Sequence, residues 1–153
     1  MPTRRETGIH AEGVNQLLRT LGTMGKEVSD YARDESVDLA DTFLGLVRRA
    51  ATGAAESAVA EAFKVYRDRV PKVGFTAGKR APISGAPRVG EVFYGYEFGG
   101  RSRPTTRQFP AFDRGGNFLY PTLRDDGEDL AEDWFDRVFR SLDKDWERGA
   151  RSV

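Results

Sequence analysis

Apolar residues recur at helical spacing through the N-terminal part of the chain. Val14, Leu17, Leu18 and Leu21 fall on one face of a short helix, which Gly22 and Gly25 then interrupt. Val28, Ala32, Leu39, Phe43, Leu46 and Val47 continue a stripe as far as Ala50, with Ser29 or Asp30 available as a cap near its start. After Thr52-Gly53 an alanine-rich stretch, Ala54–Tyr66, resumes the same period with Ala55, Val59, Ala62, Phe63 and Tyr66 on one side. Whether residues 26–67 form one long helix or two is open, and Gly53 is where a break would fall. From Pro71 the period changes. Val70–Thr76 reads as a short strand, confined to a sheet edge by Pro71. Residues 77–90 carry glycines and prolines but few large apolar groups, and read as a long loop. Glu91–Phe98, with Val92, Phe93, Tyr94, Tyr96 and Phe98, is predicted as a strand on its β-branched and aromatic content. A second loop or arm, 99–116, follows Gly99-Gly100. A final helix is predicted from about Asp125 to Arg148, striped by Leu130, Trp134, Val138, Leu142 and Trp146 and widened by Phe135 and Phe139. Acidic residues in its first turns suit the helix dipole.

Helices, then a few strands, then a helix predict an α+β fold: N-terminal helices, a small antiparallel sheet with long loops, and a C-terminal amphipathic helix. The 153 residues suffice for one domain with its own core, residues 1–12 being read as a flexible tail.

Charge and composition narrow the chemistry. There is no cysteine, which excludes disulfides, thiolate metal sites and thiol nucleophiles. The single histidine, His10, cannot build a multi-histidine metal centre and reads as a solvated tail residue. No run reaches the roughly 20 apolar residues of a membrane span, and the N-terminus lacks the apolar core of a secretory signal. No cofactor and no membrane partner is expected. Lysine plus arginine and aspartate plus glutamate balance at 24 each, which gives no global case for nucleic acid.

The local balance is uneven. Arg67, Arg69, Lys72, Lys79, Arg80 and Arg88 face only Asp68 between positions 67 and 88. Four arginines oppose Asp113 between 98 and 116, whereas the final helix carries ten acidic residues against five basic ones. Basic loops and an acidic helix on one chain suit head-to-side contact between identical subunits. Arginines interleaved with Phe109 and Phe112 would equally suit phosphate contact and base stacking, so a nucleic-acid-binding module is the alternative from another class.

Catalytic patterns are weak. The glycines at 95, 99 and 100 have no lysine and serine or threonine after them as a phosphate loop would, and Ser84 has no nearby histidine. Glu91 and Glu97, six residues apart, would share one face of the predicted strand, and nothing converges on them. The expectation is a non-enzymatic structural subunit. Its interface residues are predicted as Arg101, Arg103, Arg107, Phe109, Phe112 and Arg114, with Glu97 as a salt-bridge partner, since arginines and aromatics supply most interface binding energy.

Tyr94-Gly95-Tyr96-Glu97-Phe98-Gly99, then Arg101-Ser-Arg-Pro-Thr-Thr-Arg-Gln-Phe-Pro110, then Tyr120-Pro121-Thr122-Leu123 resemble the tail-completion or head–tail joining (neck) proteins of long-tailed, siphovirus-like double-stranded DNA bacteriophages. The Gly-Gly-Arg and Pro-Thr-Thr-Arg-Gln-Phe forms look like the actinobacterial-phage branch. The likeness covers about residues 90–124. The Gly-x-Leu-basic-x-Ser segment that many of these proteins place before the strands is not spelled at Ala54–Val70. The resemblance implies a virion subunit at the head–tail junction, assembled in the host cytoplasm as a ring with itself. Its partners would be neighbouring connector and tail-tube proteins, with at most transient contact to DNA in the lumen and no cofactor. It also leaves open the related tail-terminator role.

Overall fold

The computed structural model describes residues 26–67, 71–100 and 108–151, and the side chains of Glu27 and of residues 145–151 lie outside that description. It is an α+β arrangement. The predicted Val14–Leu21 helix and the tail at 1–12 lie outside the described residues.

Helix α1, Lys26–Ala50, is the central element because it contributes to both buried clusters. Ala32, Ser36 and Leu39 face the C-terminal helix, while Leu44, Val47 and Ala51 enter the main core. Arg48 and Arg49 occupy its last turn, where cations favour the negative end of the dipole. The predicted break at Gly53 is present. Gly53 N donates to Glu56 Oε2 at 3.0 Å, and Ser57 Oγ donates to the Ala51 carbonyl at 2.6 Å, so the first turn of helix α2, Ala54–Ala60, is tied to the chain before it.

Sequence periodicity carries this helix to Tyr66, but the structure ends it at Ala60 and forms strand β1, Phe63–Tyr66. The reason is tertiary. Phe63-Lys-Val-Tyr alternates inward and outward, and it pairs antiparallel with β2, Lys72–Phe75, in the register Phe63↔Phe75 to Tyr66↔Lys72. The Phe63 and Phe75 rings meet edge-on at 4.9 Å. These two strands are the sheet.

Glu91–Phe98 is not a strand. It lies in helix α3, Val89–Phe98, and the sheet does not include it. Val89, Val92, Phe93 and Tyr96 are its buried side, spaced i, i+3, i+4, i+7. That helical period is masked in the sequence by residues of high β-propensity, and burial of one face overrides propensity. Glu91 at the third helical position accepts from Arg88 N at 3.1 Å, and Gly99 with φ +71° ends the helix. On a helix, residues six apart point to different sides: Glu91 is exposed and Glu97 is wholly buried. Residues 77–88 before α3 turn twice and are tied by an Arg80–Arg88 bridge, Ala81 N donating to Pro87 O at 2.8 Å.

The last helix, α4, Leu119–Arg151, begins six residues earlier than its acidic cluster suggests. Along α1 it runs antiparallel: Glu35 lies opposite Arg137, Ser36 opposite Trp134, and Leu46 beside Leu130. The main core gathers residues from α1, α2, β1, α3 and the start of α4 around Phe63, Phe93 and Phe118. A smaller cluster of Ala32, Trp134 and Val138, flanked by Val28, Leu39 and Leu142, joins the two long helices.

Candidate interaction surface at the base of the arginine arm

The segment from Tyr94 to Leu123 is built around one carboxylate. Glu97, in the last turn of α3, is 0% exposed. Its Oε2 accepts from Phe118 N at 3.3 Å and Leu119 N at 2.9 Å, and its Oε1 accepts from Tyr120 N at 2.8 Å. A helix begins with donors that have no partner inside it. Here another helix supplies the acceptor, with a negative charge at the positive end of the dipole. Pro121 comes next and has no N–H to satisfy. Asn117 Nδ2 donates to Tyr96 O at 2.9 Å, so the same two elements are tied a second time. Gly116, at φ +83°, leaves room for the carboxylate where a Cβ would collide with Glu97 Oε1. Glu97 is therefore not an interface residue, and none of the described cations pairs with it. It is an internal helix cap.

The ends of the arginine-bearing segment are fixed on this cap. Gly100 N donates to Pro110 O at 3.0 Å, and Asp113 N donates to Phe98 O at 2.9 Å. Gly99 lies so close to the Ala111 carbonyl that no side chain fits. Phe109 packs inward, 5.1 Å edge-on to Tyr96 and against Gly95, where an added Cβ would sit 2.5 Å from the ring. Phe109, predicted at the interface, thus pins the segment after the arginines onto α3. Arg101, Arg103 and Arg107 lie outside the described residues. Phe112 (68% exposed) and Arg114 do point outward.

Outward aromatics surround this base. Tyr94 is 58% and Tyr120 45% exposed, with Phe98 between them: Tyr94–Phe98 stack at 6.4 Å and Phe98–Tyr120 meet at 5.1 Å. Sequence reasoning missed Tyr94 because on a strand it would have alternated with Phe93. On a helix, its place outside the Val89, Val92, Phe93, Tyr96 set puts it at the surface. Phe135 and Phe139, read as widening the core stripe, are 44% and 59% exposed and form a second apolar side of α4.

Two depressions are lined by residues of α1 and α4. One holds about 20 Å³, room for a single water, between Glu35, Leu39, Thr42, Trp134 and Arg137. The other, about 480 Å³, is an open trough of Leu46, Leu130 and five carboxylates. Among the described residues no group of three or more histidine, cysteine or acidic residues is arranged to hold a metal ion. None of the described helices is long and apolar enough to cross a membrane. No known family, no curated protein and no solved structure matches the chain.

Proposed function

We propose that the chain is a non-enzymatic structural subunit of the head–tail junction of a long-tailed double-stranded DNA phage. In this reading it is a tail-completion or neck protein that forms a ring with itself and joins the tail to the head. The observation that carries the reading is the closed base of the arm. The two ends of a segment bearing Arg101, Arg103 and Arg107 are joined by the Gly100–Pro110 hydrogen bond, and Asp113 bonds to Phe98 beside the cap, with Tyr94, Phe112 and Tyr120 exposed around it. Arginines and aromatics on a preorganised support are the makings of a protein-binding hot spot, because little ordering entropy is lost on docking.

The residues behind the phage resemblance have physical roles that fit such a part. Gly95, Glu97, Gly99 and Pro121 are the components that lock α3, the arm and α4 together. They shape a surface and perform no chemistry.

The test is the Arg103→Ala, Arg107→Ala double variant. Its unfolding transition should match that of the unaltered chain, while the yield of joined particles falls. Unchanged particle yield would contradict the role of the arm. Titration with duplex DNA at two salt concentrations separates the other class of function: weak binding without a preferred site is expected, and a tight, steeply salt-dependent complex would favour a nucleic-acid-binding module.

A further inference from the structure

Two surfaces on opposite sides of α1 complement one another. On the first, the Phe135 and Phe139 rings stack at 6.4 Å on the outer side of α4. Glu128 and Glu132 lie along the same side of the helix, exposed, and make no ion pair with any described residue. On the second, the outward side of the hairpin carries Lys64, Tyr66 and Lys72. The Lys64 ammonium sits 4.6 Å and the Lys72 ammonium 5.9 Å from the centre of the Tyr66 ring. That gathers two positive charges over one aromatic ring.

The helix between them fixes their directions. Arg33 and Arg48 of α1 donate to the carbonyls of Arg67 and Phe63, and Asp41 pairs with Arg67, all on the hairpin side. Ala32, Ser36 and Leu39 hold α4 on the opposite side. Pairing two α4 surfaces in parallel across a two-fold axis would set Glu128 and Glu132 against their own copies. Pairing α4 with a hairpin sets acid against base.

We propose that the Phe135–Phe139 side of α4 docks on the Lys64–Tyr66–Lys72 side of the hairpin in a second copy of this chain. The contact is heterologous. Because its two halves are different surfaces of one molecule, it repeats from copy to copy, and it closes into a ring where the rotation between copies closes. This inference rests on the self-association proposed above and names the surfaces that carry it.

Sedimentation velocity over a range of concentrations tests it with two charge-reversed chains. One carries Glu128→Lys and Glu132→Lys, the other Lys64→Glu and Lys72→Glu. All four positions are on outer surfaces, and circular dichroism confirms that each variant is folded. Each alone should associate at least about tenfold more weakly than the unaltered chain, and mixing the two should restore association. If the unaltered chain associates and both variants do so equally well, this contact is overturned while self-association stands. Association lost in the α4 variant alone would indicate a two-fold α4 contact and also overturn it. An unaltered chain that stays monomeric at every concentration would overturn the self-association reading and this contact with it.

Discussion

Around Glu97, three backbone donors of one helix converge on a carboxylate of another, and glycines at 95, 99 and 116 accept neighbours that leave no space for a Cβ. Along the shafts of α1 and α4 the arrangement is different. Ala32, Trp134 and Val138 are the buried residues there, helped by one hydrogen bond from Trp134 Nε1 to Ser36 Oγ at 3.1 Å and by exposed i,i+4 pairs such as Arg137–Asp133. The first region is a lock made of unique contacts. The second is a repeating seam whose parts can be exchanged for others of similar size. A lock positions a surface, here the base of the arm. A seam leaves the far side of α4 exposed and available for a partner.

Substitutions should therefore divide by region. The largest effect is expected at Glu97. Glu97→Ala leaves two buried donors and one part-buried donor without an acceptor and should cost about 3 kcal/mol or more of stability in urea unfolding. Glu97→Gln keeps one acceptor oxygen and should cost less. Gly116→Ala combines a positive φ with a collision against the cap, and a loss of roughly 2 to 3 kcal/mol is expected. In the seam Ser36→Ala, which removes the acceptor of the buried Trp134 N–H, should cost about 1 to 2 kcal/mol. Phe139→Ser, on the outer side, should change stability by no more than about 0.5 kcal/mol while weakening self-association. A Phe139→Ser chain as unstable as Gly116→Ala would erase the distinction between the regions.

Alkaline pH gives a subtler contrast. Burial lifts the Tyr96 phenol above its ordinary value of 10.0, and the negative charge of Glu56 adds to the rise. The folded chain then keeps a proton that the unfolded chain has begun to release. The stability tied to Tyr96 is intact below about pH 10 and declines as the pH rises beyond it. Tyr96→Phe should flatten that decline, measured as the urea midpoint between pH 9 and 11.

The same division decides what could be read from the residues alone. The seam was legible: Leu130, Trp134, Val138 and Leu142 repeat at helical spacing, and α4 follows from them. Its true start was not, because the acceptor for its first donors comes from Glu97, 21 residues before Phe118 in the chain. The α3 helix was hidden for a related reason. Its aromatic residues favour a strand locally, and only packing on Phe63, Phe75 and Phe118 makes the helical face the better one to bury. Of the predicted interface, Phe112 and Arg114 are at the surface. Glu97 and Phe109 were read as outward because a buried cap and a pin use the same residue types as a hot spot.

The most direct measurement of the lock is amide hydrogen exchange at Leu119 and Tyr120, in the unaltered chain and in Glu97→Gln. Helix N-terminal amides ordinarily exchange quickly, since nothing within the helix accepts from them. The Glu97 cap predicts that both amides exchange as slowly as those of the main core, and that Glu97→Gln speeds them selectively. Fast exchange in the unaltered chain, at rates typical of a frayed helix end, would contradict it.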